Sequence, residues 1–200
     1  MPEGHSAIEP RLQALKSLSE GLLEGAACPG MRGNLLEIRH ESSPLLDPVL
    51  LHRGADDFGV SISLTPSREM TSGQKVCCES AQLPFQDNVF CTVVLHHVIS
   101  DGFEPELAEA CRVLRRSGVL IVLGLNRMGW RYRAQDDFRR LPGLAPLAVR
   151  NRLESLGMGM KGFAGAGLGG KKRPALLQSG LGSACLPVAD LLVLQAGKQN

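Results

Sequence analysis

The chain has 200 residues, 44% apolar and 21% charged, a balance that excludes disordered, collagen-like and coiled-coil classes and leaves enough length for one well-cored domain. The net charge of +2 hides a polarity: residues 1–111 carry 7 Lys/Arg against 16 Asp/Glu, and residues 112–200 carry 15 against 4. There are 23 glycines, and their placement matters because a nucleotide cradle needs glycine at particular positions.

Ile8, Leu12, Leu15, Leu18 and Leu22 recur at spacings of three and four, which predicts an amphipathic helix over 8–25. After the turn at 28–30, Asn34–Ile38 reads as a short buried strand, followed by a polar stretch broken by Pro44 and Pro48. Val60, Ile62 and Leu64 alternate with small polar residues, so Gly59–Leu64 is a second strand, ended by Pro66. Lys75–Glu79 is a third and the β-branched run Phe90–Val98 a fourth. Glu104–Arg115 is a helix with acids early, arginines late and an apolar stripe of Leu107, Ala110, Cys111 and Leu114, and Asp101 is its expected N-cap. Ser117-Gly118 should stop it before a fully buried strand, Val119–Leu125. Residues 126–143 read as a basic loop with Trp130, Tyr132 and Phe138, and Pro146–Leu156 as a helix closed by Gly157. Residues 157–182 hold nine of the 23 glycines and read as loop, and Leu186–Ala196 as the last strand.

Strands alternating with helices imply a doubly wound, mainly parallel α/β sheet. The whole chain, 1–200, is read as a single domain, with 1–30 a helical lead-in and 31–200 the α/β core. Ligands in such sheets sit outside the carboxyl ends of the strands, here near 39–43, 63–66, 79–82, 96–101 and 126–130. The six cysteines form no C-x-x-C pair and no zinc spacing. Reduced thiols and a polar, acid-bearing N-terminus predict a cytoplasmic protein. The longest apolar run, Val119–Leu123, is too short to span a bilayer.

Three segments carry a resemblance: Leu83-Pro84-Phe85-Gln86-Asp87-Asn88, then Val93-Val94-Leu95-His96-His97, then Arg112-Val113-Leu114-Arg115-Arg116-Ser117-Gly118. Together they resemble class I S-adenosylmethionine-dependent methyltransferases of the small-molecule type that includes quinone-biosynthesis enzymes. The resemblance is specific over 79–126 and weaker over 33–197. It implies a Rossmann-like methyltransferase sheet of seven strands with a reversed last strand, and S-adenosylmethionine as cofactor. Carried over position by position, it places Glu37 as the strand-one acid. Arg39, Glu41 and Ser43 stand where the family has three alternating glycines, which should reshape the cradle because each adds a Cβ. Ser63 stands where the family has a ribose-binding acid, and a serine lacks the charge-assisted bidentate grip. Glu79 matches the acid that meets the adenine amino group, with Ser80 and Ala81 beside it. Cys91 replaces a frequent acid in strand four.

Methyl transfer from a sulfonium needs alignment in a dry pocket and no metal. A base helps when the acceptor is a hydroxyl or an ammonium, and His96 and His97 at the strand-four carboxyl end are the candidates. Neighbouring strand residues face opposite ways, so one of the two at most should enter a given pocket. Asn126 and Trp130 are candidate substrate contacts, against the plainer reading of Asn126 as a turn residue bonding its own backbone. The glycines at 165–170 fail the spacing of a phosphate loop. The expected function is methyl transfer to a small-molecule acceptor. The alternative is a catalytically inactive methyltransferase-fold protein acting on a protein partner as a binding or regulatory subunit. A nucleic-acid surface over the ten arginines of 112–152 stands behind both. The sequence leaves the oligomeric state open.

Overall fold

The computed structural model describes residues 34–39, 59–63, 75–77, 80–99, 102–129, 143–167 and 189–198. The helix expected over 8–25, the glycines of 169–182, and Glu41, Ser43, Glu79 and Trp130 lie outside them.

Eight strands are described: β1 (Leu35–Arg39), β2 (Gly59–Ser63), β3 (Lys75–Cys77), β4 (Phe90–His96), β5 (Leu114–Asn126), β6 (Gly143–Leu144), β7 (Met158–Ala166) and β8 (Leu191–Lys198). Two helices join them, α1 (Glu104–Val113) and α2 (Pro146–Ser155). The strands form one sheet in the order β3-β2-β1-β4-β5-β8-β7, with β6 paired to β5. β1 to β6 run parallel wherever they pair, and β8 is antiparallel to both β5 and β7. This is the doubly wound sheet with a reversed last strand.

The β-branched and leucine runs explain the centre of the sheet. Val93, Val94 and Leu95 in β4, and Leu120 to Leu123 in β5, are all buried. Consecutive buried residues in a strand require cover on both faces. One face is organised by the helices: Leu36, Ile38, Val93, Leu95, Leu120 and Val122 share a core with Leu107, Ala110 and Cys111 of α1 and Val149 and Leu153 of α2. α1 packs on β4 and β5, α2 packs on β7 and β8, and the helices touch each other. Strand alternation puts Glu37, between Leu36 and Ile38, on the opposite face.

Several boundaries differ from those read in the sequence, among them the end of β4 at His96 and the last strand at Leu191–Lys198. The N-cap of α1 is Phe103, which makes no side-chain capping bond, so Asp101 is not the cap. The helix ends at Val113 because Leu114 turns extended, at φ −75° and ψ 135°, and joins β5 opposite Phe90. Leu114 pairs with Phe90 but Val119 with Thr92, and Arg115, Arg116 and Ser117 bulge outward, exposed. Gly118 closes that bulge: a Cβ there would lie 2.7 Å from the Leu114 side chain and 2.9 Å from the Cys91 carbonyl oxygen. Finally, residues 158–166 form a strand where the glycine content predicts loop. Pairing with β8 along Met158 to Ala166 supplies the ladder that local propensity does not. Gly157, at φ +75°, ends α2 in the left-handed conformation expected of it.

The turn after β3 is locked to α1. Arg112 donates to the Leu83 and Phe85 carbonyls at 3.0 and 2.8 Å, to Asp87 at 2.7 Å, and to both Glu109 oxygens at 2.8 Å. Glu109 in turn accepts from the Leu83 amide at 2.9 Å. The guanidinium holds the Glu109 carboxyl below the usual carboxylate range, and both carboxylates raise the Arg112 pKa further. The Leu-Pro-Phe turn and the arginine that closes α1 are therefore one device, which explains why they occur together.

Candidate active site

The strand order reverses direction between β1 and β4: from β1 the chain proceeds outward to β2 and β3, and from β4 it proceeds the other way to β5. Such a switch point opens a crevice at the carboxyl ends of the strands. Here the register aligns Cys77, Ser63, Arg39, His96 and Leu123 in one row across β3, β2, β1, β4 and β5. Three residues singled out from the sequence, Ser63, Arg39 and His96, thus meet at the carboxyl edge although they come from three strands.

Glu37 lies in register with Val94, two residues before His96. Residues two apart in a strand share a face, so Glu37 and His96 are diagonal neighbours. The His96 Nδ1 and the Glu37 Oε1 lie 2.9 Å apart, with side-chain exposures of 3% and 1%. A carboxylate can only accept, so with Glu37 as carboxylate the bond takes its proton from Nδ1, and in the neutral imidazole Nε2 is then the lone-pair nitrogen. The outer atoms of the pair, Glu37 Oε2 and His96 Nε2, are buried and have no hydrogen-bond partner among the described residues. Leaving a buried polar group unpaired costs about 1–3 kcal/mol. Two such atoms, one on each member of a bonded pair, lie at the switch point.

His97 takes a different course. Its backbone is left-handed, φ +54°, and its amide donates to the Leu123 carbonyl at 2.9 Å. Burial pushes its imidazole well below the ordinary pKa of 6.5, and neighbouring His96 adds to that shift. The two rings lie 5.3 Å apart, and of the two only His96 bonds Glu37.

Asn126, at the end of β5, is wholly buried. Its Nδ2 donates to the Ala189 carbonyl at 2.7 Å and its Oδ1 accepts from the Met128 amide at 3.0 Å. The side chain closes a turn on its own backbone and ties β5 to the approach to β8, so both ends of its amide serve the fold. Ser80 donates to Glu106 of α1 at 3.2 Å, and Ala81 is half-buried in the same turn. Cys91 is half-buried and receives a bond from Arg115 at 2.9 Å, and Cys111 is buried, with its thiol pushed up to about 11. The structure brings together Glu37, His96 and the backbones of Arg39 and Ser63, while Ser80 bonds Glu106 and Asn126 bonds Ala189 and Met128. The individual residues were legible in the sequence. The pairing of Glu37 with His96, 59 residues apart, had no local signal, and only the strand register reveals it.

Comparison with known proteins agrees with this architecture. A family model described as a methyltransferase domain matches residues 47–122. No curated protein matches the chain. Among solved structures, a Thermotoga maritima S-adenosylmethionine-dependent methyltransferase, a possible histamine N-methyltransferase, superposes with a TM-score of 0.69 at 16% identity, covering 96% of this chain and 95% of that one. The geranyl diphosphate C-methyltransferase of Streptomyces coelicolor, solved with Mg2+, geranyl diphosphate and S-adenosyl-L-homocysteine, gives 0.61 at 12% identity, covering 100% and 88%. A TehB-like S-adenosylmethionine-dependent methyltransferase from Corynebacterium glutamicum gives 0.56 at 14% identity, covering 96% of each chain. The domain match over residues 47–122 and the shared sheet with its reversed last strand show that the chain has the fold of S-adenosylmethionine-dependent methyltransferases and is similar to them over that segment.

Proposed function

We propose that the protein transfers a methyl group from S-adenosylmethionine to a small-molecule acceptor. The observation that carries this reading is the buried Glu37–His96 pair at the β1–β4 switch point, with Glu37 Oε2 and His96 Nε2 unpartnered among the described residues. A buried carboxylate oxygen with no donor fits the ammonium group of the cofactor's methionine moiety, because a charge-assisted bond there would satisfy it. Glu37 and the backbone at Arg39, Glu41 and Ser43 would hold the methionine end, Ser63 the ribose, and Glu79, with Ser80 and Ala81, the adenine. When bound, S-adenosylmethionine supplies a methyl group on a sulfonium that leaves as a neutral thioether. The protein's own contribution is to exclude water and align the acceptor at the carboxyl ends of β4 and β5, with Trp130 as a further acceptor contact.

One observation favours a second reading. On the resemblance, Arg39, Glu41 and Ser43 would stand where the family has three glycines, and a protein that kept the fold but not the cofactor would act as a binding or regulatory partner. A thermal-shift titration separates the two. A ligand at about 100 times its dissociation constant adds about 2.7 kcal/mol, which in a domain of this size raises the midpoint by about 5–10 °C. The first reading expects such a rise with S-adenosylmethionine or S-adenosylhomocysteine, and the second expects none at millimolar ligand. The free thiols of Cys91 and Cys111 support a cytoplasmic setting. No described helix is long and apolar enough to cross a membrane.

A further inference from the structure

We infer that His96 is the general base that takes a proton from the methyl acceptor, that Glu37 orients it, and that the acceptor is therefore one bearing an O–H or N–H proton, a phenol or an amine. This rests on the methyl-transfer reading above. Three features of the molecule support it.

The first is the tautomer. Glu37 Oε1 lies 2.9 Å from Nδ1; as a carboxylate it takes the Nδ1 proton, and the neutral ring then presents a lone pair at Nε2, the form that can accept a proton. The second is Nε2 itself, buried without a partner among the described residues. Buried polar atoms usually have a hydrogen-bond partner, and the proton of a bound acceptor would supply one here. The third is the surroundings. β5 places the apolar Leu123 in register with His96. The titratable side chains described against His96 are Glu37 on β1 and His97 on β4's own continuation, Arg39 of β1 is in register with His96, and burial lowers the pKa of His97. Glu37, bonded to Nδ1, stabilises the imidazolium that forms.

The proton balance follows. The O–H bond of a phenol, or one N–H bond of an amine held as its ammonium form, breaks as Nε2–H forms. The freed electron pair stays on the acceptor oxygen or nitrogen and bonds the methyl group, and the imidazolium returns its proton to solvent after the product leaves. His96 is the catalytic residue and Glu37 a positioning residue acting through it.

The test has two parts. In the unmodified protein, nitrogen-15 NMR of labelled histidine reads the His96 tautomer directly, and a proton on Nε2 rather than Nδ1 overturns the inference. Turnover of S-adenosylmethionine is then measured from pH 5.5 to 9 with catechol, phenethylamine and thiophenol as probes. The expected result is methylation of catechol or phenethylamine, on a limb that rises with pH through one ionisation. His96→Gln should lower the rate by about 10²- to 10⁴-fold. Glu37→Gln is nearly isosteric, but its amide can donate to Nδ1. That moves the ring proton to Nε2, so the NMR signature should reverse and the rate fall at least about 10²-fold, with Glu37→Asp recovering part of it. Methylation of thiophenol alone, or an unchanged pH profile in His96→Gln, overturns the inference. If calorimetry shows S-adenosylmethionine bound and neither catechol nor phenethylamine is methylated, this inference falls and the parent reading stands. If the cofactor does not bind, the parent reading falls.

Discussion

Replacing Arg112 with alanine should destabilise the fold by about 3 kcal/mol. The guanidinium makes five bonds of 2.7 to 3.0 Å to two carbonyls and two carboxylates. Bonds involving a charged group contribute about 1.5–3 kcal/mol each when shielded, but these are not additive. Asp87 is 65% exposed, so its share is screened and adds about 0–1 kcal/mol. The Glu109 pair is better shielded, with side-chain exposures of 31% and 19%. The Leu83 and Phe85 carbonyls lose their Arg112 donors outright, and Glu109 loses its partner. At about 2–4 °C per kcal/mol for a domain of this size, the midpoint should fall by about 6–12 °C. Urea unfolding of the parent, Arg112→Ala, Glu109→Ala and the double variant measures both the loss and the coupling. The single losses should overlap, because each variant breaks the same clamp. A loss below about 1 kcal/mol, or fully additive single effects, would refute the idea that the turn at 83–88 is held by α1 through this one side chain.

Three further outcomes follow from the same structure. His97 is buried with its pKa lowered, so its unfolded form binds a proton that the folded form refuses. Its contribution to stability is complete above the ordinary value of 6.5 and is lost as pH falls from there toward its folded value. Below pH 6.5 stability should drop by about 1.4 kcal/mol per pH unit more in the parent than in His97→Asn, which tolerates the left-handed backbone; equal slopes would contradict this. Gly118→Ala forces a Cβ against the Cys91 carbonyl and the Leu114 side chain, and urea unfolding should show a loss of about 1–3 kcal/mol, with no loss contradicting the close approach. Asn126→Ala removes the donor to Ala189 and the acceptor from Met128. It should cost about 2 kcal/mol and raise hydrogen exchange at the Met128 amide, and unchanged exchange would show that the turn is held by other groups.

How much of this was legible in the sequence depends on what each element rests on. β1, β2, β4 and α1 announce themselves through local pattern: alternating apolar residues, β-branched runs, and acids before arginines. β7 does not. Its residues Gly159, Gly162 and Gly165 have poor strand propensity, and what makes it a strand is β8, some thirty residues later in the chain. β6, two residues long, leaves no periodicity to read. The start of β5 at Leu114 was hidden because Arg115 and Arg116 continue the helical charge pattern, while Phe90 supplies the competing pairing. At the site, Glu37 and His96 were each singled out for their own reasons. Their bond depends on which strands are neighbours and in which register, and composition does not encode that. Asn126 was read both as a substrate contact and as a turn residue, and its bonds to Ala189 and Met128 follow the turn reading. Ser80 was expected near the adenine, and Glu106 of α1 takes its hydroxyl.

The central claim is that the chain holds the cofactor through Glu37 at the β1–β4 switch point. Isothermal titration calorimetry of S-adenosylhomocysteine into the full chain tests it most directly. The account predicts saturable one-to-one binding that weakens at least about tenfold in Glu37→Ala, the loss of one charge-assisted bond. An absence of heat at millimolar ligand, or binding indifferent to Glu37→Ala, would contradict it.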